Sequence, residues 1–346
     1  NMYKVVAGFV QKNKPDVIGV LTSSLAEVKG EDVGGSVKQL QRDYADCEIL
    51  HISVPDYEGG LESGYTTAVN ACVELAGEKG CEPCMHENRL NVLVGSHLSP
   101  ADVTELRETV ESFGLYPLML PDLSALDGSR HGISPFAVGG TKIDDIRNMG
   151  SSAFTIAIGL HMEPPAEYLR ERFGIEYKAF ESISGLKDVD TLMETLSKLS
   201  GNPLPSRYER QRKMLIDGMR DAHFYFGGKR ICLALEPDLS IQTSKWIEEM
   251  GATVSLAVMP ASVPYAERVI AEEIRTGDLF SIEGRFDLMI SGSHAEDTAK
   301  NLGMPLYQMG FPVYKVLGNT ARITIGYKGT LALINDVANL LIKGAH

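Results

Sequence analysis

Short apolar runs alternate with amphipathic stretches along nearly the whole chain, the pattern of parallel strand–helix–strand units, and the alternation falls into three blocks. The middle block opens with the strand "LNVLVGS" (90–96) and continues into "SPADVTELRETVESFG" (99–114). Ser99 is placed to cap that helix, Pro100 occupies its first position, Asp102 its first turn and Gly114 its end. Val103, Leu106, Val110 and Phe113 share one face, so the helix is expected to lie on a sheet. Strands at 116–122, 153–159 and 176–180, with helices near 141–150, 164–173 and 188–200, complete a doubly wound unit.

The third block repeats the plan. Its strands are "RICLALE" (230–236), "ATVSLAV" (252–258), "FDLMISG" (286–292) and "LYQMG" (306–310), and its helices lie near 238–250, 265–276 and 295–302. Between the two blocks, "SGNPLPSRYER" has the prolines and glycine of a linker. The first block has only "DVIGVLT" (16–22) and "EILHISV" (48–54) among three helices, and two parallel strands do not bury that much helix face. The expectation is an α/β protein of three Rossmann-like domains with mostly parallel doubly wound sheets, the first incomplete because the sequence starts inside it. The spans are 1–88, 89–203 and 204–327, with a C-terminal helix at 328–346 packing back on the first domain.

Composition narrows the function classes. Hydrophobic residues are 44% and charged residues 23%, ordinary for a soluble globular protein. A net charge of −13 with a pI near 5.1 argues against nucleic acid or an anionic membrane as the main partner. No apolar run reaches membrane-spanning length and no signal peptide is visible, so a cytoplasmic setting is expected. Five cysteines (47, 72, 81, 84 and 232) lack disulfide-framework spacing. "CEPC", Cys81 to Cys84, has ligand-like spacing, but with only His86 nearby it reads better as a metal-free loop.

Chemical signatures are sparse. No glycine fingerprint or P-loop follows a strand, and no nucleophile elbow or zinc helix is present. Gly139 and Gly140 can present backbone N–H groups to an anion or make a tight turn. His97 and His294 both follow strands, where open α/β sheets bind ligands, but for each a structural role, capping its helix or bonding across a subunit interface, is the better reading. Asp56 and Glu58 in "PDYEGGLESGY" (55–65) can act as acid and base or cap the next helix, and capping is the better reading.

"DAHFYFGGKRICLALEPDL" (221–239) resembles the opening of the third Rossmann-like domain in the nitrogenase component 1 superfamily. "KPDVIGVLTSSLAEVKGEDV" (14–33), "VPDYEGGLESGY" (54–65), "FDLMISGSHAED" (286–297) and "TIGYKGTLALINDVANLL" (324–341) follow in family order. The catalytic β subunits of that superfamily have a cluster-ligating cysteine where this chain has Ser24 in "TSS", and a serine hydroxyl is a poor iron ligand. "VPDY", with Asp56, and the stretch 92–129 look like the N-type branch, which belongs to the assembly scaffold of the iron-molybdenum cofactor.

The resemblance implies a scaffold subunit without a catalytic constellation of its own. It would work with an E-type partner in a heterotetramer, with the nitrogenase iron protein and with a donor of cofactor precursor. The full complex would hold a [4Fe-4S] cluster at the subunit interface and an iron-molybdenum cofactor precursor, and this chain alone would hold neither. Ser24 and Asp56 would stand beside the interface cluster without ligating it, and the ligand cysteine would lie upstream. The competing readings are a catalytic subunit of a related reductase, either nitrogenase β or the dark-operative protochlorophyllide reductase B subunit, and a periplasmic-binding-type receptor.

Overall fold

The structure, a computed structural model, describes residues 2–22, 24, 32–77, 86–126 and 139–344. The "CEPC" loop lies outside the described residues. The first block contains α1 (Met2–Asn13), β1 (Val17–Thr22), α2 (Val33–Asp43), β2 (Glu48–Ser53) and α3 (Leu61–Val73). β1 and β2 pair in parallel from Val17↔Glu48 to Thr22↔Ser53. Asp32 starts α2 by accepting the Gly35 N–H at 2.7 Å. Leu40, Val37, Ala7 and Val10 then close a small core against Ile49.

The second block contains β3 (His86–Leu93), α4 (Pro100–Glu111), β4 (Tyr116–Leu120), α5 (Ile143–Arg147), β5 (Ser152–Ile158), α6 (Glu163–Phe173), β6 (Tyr177–Phe180) and α7 (Leu186–Ser200). Its sheet runs β4-β3-β5-β6 with every pair parallel. Ser99 and Asp102 form a reciprocal capping box at the start of α4, as their spacing requires. Asp102 also accepts from the Thr324 N–H at 2.6 Å and its hydroxyl at 2.9 Å, tying this helix to a distant loop.

The third block contains α8 (Ser206–Phe226), β7 (Arg230–Ala234), α9 (Pro237–Glu249), β8 (Thr253–Met259), β9 (Ile274–Thr276), β10 (Leu288–Ser291), α10 (Glu296–Asn301), β11 (Leu306–Gln308) and α11 (Gly326–Gly344). Its sheet runs β11-β10-β7-β8-β9, again parallel throughout. β10 is buried on both faces, which is why "LMIS" reads as a continuous run rather than an alternation.

Three elements differ from the sequence expectation. The helix expected at 265–276 is a short 3₁₀ turn at Ala266–Arg268 followed by β9. The backbone groups on the outer edge of β8 take this segment as a strand, with the Glu272 N–H donating to Val254 O and the Ala257 N–H to Glu273 O, both at 2.9 Å. α8 begins in sequence read as linker and runs on through a stretch where no helix is expected, because its mostly charged surface hides a sparse stripe: Tyr208, Leu215 and Ala222 at seven-residue spacing, then Phe226.

The last helix does not return to the first block. α11 lies against α8 and touches α7. Its buried Leu333, Ile334, Val337, Ala338 and Leu341 enter a core continuous through the second and third blocks. The stripe of α8 supplies the complementary apolar face. α3 binds the first block to the second, with Val69 and Val73 packed among Leu93, Leu118 and Ile146. An Arg147–Glu48 ion pair at 2.6 Å reinforces that contact.

Candidate functional site

The carboxyl ends of β1 and β2 bring Ser24 and Asp56 together, and the Asp56 N–H donates to Ser24 Oγ at 2.8 Å. The Asp56 carboxylate and Glu58 are exposed. Neither caps α3, contrary to the capping expectation. Gly60 is the N-cap instead, its N–H donating to Ser63 Oγ at 2.9 Å. Gly59 (φ +71°) makes the turn that leaves Asp56 outside the helix. Ser53, Asp56, Glu58, Ser63 and Thr67 line a hollow of about 460 Å³ here, an oxygen-rich surface without cysteine.

The described cysteines do not gather near it. Cys47, Cys72 and Cys232 belong to three separate apolar clusters, and burial pushes each thiol up, Cys232 to about 12. The described residues therefore supply no thiolate set that fits an iron-sulfur cluster.

A second constellation forms where the three blocks meet. Glu62 comes from the first turn of α3, His161 from the 3₁₀ turn after β5, and Asp238 from the first turn of α9. All three are buried, with ligand-type atoms within 4.8 Å of one another. Asp238 is the keystone. Its carboxylate accepts from the Leu160 N–H at 2.7 Å, the His161 N–H at 3.0 Å and the His161 ring Nδ1. Its own N–H donates to Glu62 Oε1 at 2.9 Å, so one residue of the third block holds the other two.

Hydrogen bonding also determines what this cluster can do. His161 Nε2 accepts the Ser96 N–H at 3.1 Å, so the ring proton sits on Nδ1 and goes to Asp238. With both ring nitrogens and the Asp238 oxygens engaged, a metal ion would have to break several bonds to enter. The arrangement instead joins blocks and stores a proton. Burial, with the charge of Asp238 beside it, pushes Glu62 up to about 9, which makes it a neutral acid at physiological pH. Burial opposes ionisation of Asp238 too, yet the bond from His161, the neighbouring imidazoles and the Leu160 amide outweigh it and hold the carboxyl low.

His97 stands edge-on to His161, 6.1 Å between ring centres, and neither of its nitrogens has a partner. Burial pushes it down to about 4. Close packing is possible because Gly95 and Gly159 leave room: a Cβ on Gly159 (φ +88°) would sit 2.8 Å from the His161 ring. Of the two histidines marked in the sequence, only His97 reaches the junction. His294 is exposed and packs edge-on against Tyr314. Gly139 and Gly140 both adopt positive φ, in the bend before α5.

Glu62, His161 and Asp238 are scattered over 177 positions and match no motif, so sequence reading missed them. The available signal was positional, because His161 and Asp238 each follow a parallel strand at its carboxyl end.

Comparison with known proteins gives a consistent picture. Residues 1–342 match the family described as nitrogenase component 1 type oxidoreductase. The nitrogenase iron-molybdenum cofactor biosynthesis protein NifN of Rippkaea orientalis is 38% identical, covering 98% of this chain and 79% of that protein. NifN of Bradyrhizobium diazoefficiens is 36% identical over 99% and 75%, and that of Klebsiella pneumoniae 31% over 100% and 77%. The solved structure titled "Nitrogenase Cp1 at pH 6.5" superposes with a TM-score of 0.93 at 27% identity, covering 99% of this chain and 79% of that one.

Proposed function

The chain belongs to the nitrogenase component 1 type oxidoreductase family, and from that premise we propose that it is a subunit of the scaffold on which the nitrogenase iron-molybdenum cofactor is assembled before transfer to the catalytic component. The observation that carries this reading is identity of 31–38% over nearly the full chain to relatives named for that biosynthesis. Ser24 at the position of a β-subunit cluster ligand supports it against the catalytic-reductase reading. Among the described residues, no helix is long and apolar enough to cross a membrane.

In this reading the chain pairs with an E-type subunit, two pairs form the heterotetramer, and the cofactor precursor is cargo. The nitrogenase iron protein and a precursor donor visit the assembled complex, in the cytoplasm. Ser24 and Asp56 face the [4Fe-4S] cluster at the subunit interface without ligating it. The bond from the Asp56 N–H occupies one lone pair of Ser24 Oγ and leaves its hydroxyl proton free to donate outward. Such a donor tunes a neighbouring group without binding metal.

The test is anaerobic co-purification of the full-length chain with the E-type partner, followed by iron analysis and an ammonia assay. A stable iron-bearing heteromer that forms little or no ammonia is expected. Substantial ammonia formation, or a heteromer without iron, overturns the scaffold reading. Ser24→Ala should shift the cluster's reduction potential while leaving its iron content unchanged.

A further inference from the structure

Two cavities open side by side at the carboxyl edge of the third sheet, of about 330 and 160 Å³, and Glu236 and Phe311 line both. The strand order reverses between β7 and β10, and the crevice outside such a reversal is where open α/β sheets bind ligands. Ser291 ends β10 on one side of the larger cavity, and Glu236 lies just past β7 on the other.

Glu236 stands at the N-cap of α9 but gives the helix no side-chain bond. Its Oε2 is shut off from solvent and has no hydrogen-bond partner. Burial pushes the carboxyl up, and no cation or donor offsets that cost. Among the described residues, no lysine or arginine lines either cavity. The other carboxylates on the walls are already engaged. Asp278 accepts the Phe280 and Ser281 N–H groups, and Asp102 is taken by Ser99 and Thr324. Glu236 is thus the wall carboxyl left without a donor, and beside it the Phe311 ring is 71% exposed.

We propose that this paired cavity binds a small organic cation, an alkylammonium or guanidinium compound, with its charged head on Glu236 and its carbon chain against Phe311. A charge-assisted hydrogen bond compensates the half-buried carboxyl, and the aromatic face adds a cation–π contact. The larger cavity has the size of a small-molecule site. An organic ion fits better than a metal: the one group of three ligand-type side chains found among the described residues is Glu62, His161 and Asp238, and it excludes Glu236.

Isothermal titration of the full-length protein with n-butylammonium and methylguanidinium tests the proposal, with 1-pentanol as the uncharged match and manganese(II) as the metal. Saturable binding of the organic cations is expected. Glu236→Gln should weaken it at least tenfold and Phe311→Ala severalfold, while circular dichroism and melting show both variants folded. Equal affinity for 1-pentanol, binding unchanged in Glu236→Gln, displacement of the organic cation by manganese(II), or no binding at tens of millimolar would each overturn the assignment. Because Phe311 is exposed, its variant keeps the test decisive should Glu236→Gln fold poorly.

Discussion

Replacing Asp238 by alanine tests the claim that its carboxylate ties the second block to the third, while leaving the backbone N–H that holds Glu62 in place. The change removes the acceptor for the Leu160 N–H (2.7 Å), the His161 N–H (3.0 Å) and the His161 ring Nδ1–H. Asp238 is fully buried, so water does not reach these donors without the junction opening. Each stranded donor costs about 1–3 kcal/mol, and partial relaxation brings the sum to roughly 3–6 kcal/mol. That is a large share of the roughly 5–15 kcal/mol that stabilises a typical domain. Asp238→Asn keeps one acceptor oxygen and should cost about half as much. Urea unfolding of the full-length protein gives the total. Amide hydrogen exchange at 160 and 161, compared with β10, locates it. A cost below about 1 kcal/mol, or unchanged exchange at 160–161 in the alanine variant, refutes the keystone role. The sign with pH is also fixed. A carboxyl held low when folded contributes stability above its unfolded value near 4, and loses it as pH falls through the lower folded value.

Glu62 behaves in the opposite sense, because its folded pKa is raised to about 9. Its contribution is fully present below the unfolded value near 4.3 and declines as pH rises toward 9. Glu62→Gln should therefore flatten the stability–pH curve across that window and leave the variant more stable than the parent at pH 8, but not at pH 4; chemical denaturation at several pH values would show a parallel curve if this is wrong. Gly95→Ala should destabilise by about 3 kcal/mol, since the new Cβ would lie 2.4 Å from the Ile158 carbonyl oxygen and 2.7 Å from the His97 ring; a melting temperature within a degree of the parent would contradict the close approach. Asp102→Ala strands the Ser99 and Thr324 N–H groups together and should cost about 2–5 kcal/mol, with faster exchange at Thr324, 222 residues away from the substitution in sequence; unchanged exchange there would show that the long-range tie is not held by this carboxylate.

Where the chain has strong local signals, sequence and structure coincide. The α4 capping box is complete in "SPAD", and the strand runs of the second and third blocks lie within a few residues of their observed bounds. Where a segment's fate depends on its neighbours, they part. The stretch 265–276 carries enough apolar residues for a helix, yet the open edge of β8 makes it a strand. α8 shows a stripe of one apolar residue per two turns, too thin to read until α11 is laid on it. The candidate site divides the same way. Ser24 and Asp56 were marked by position within a recognisable pattern, and the fold places them in hydrogen-bond contact. Glu62, His161 and Asp238 were not marked, because each looks like an ordinary acid or histidine at the start of a helix.

By itself the sequence determined the class of fold, the parallel sheets, the local caps and the family pattern, all of which depend on residue periodicity or on spacing within a few turns. The tertiary structure decided which surfaces meet. It put α11 on α8 and gathered a proton-bearing acid, a hydrogen-bonded imidazole and a keystone aspartate from three blocks. It also left Glu236 without a partner beside an open ring. The physical reason is that burial and charge pairing are properties of the assembled interior: a carboxyl acquires its pKa from what the fold packs against it, and the local sequence carries no record of that.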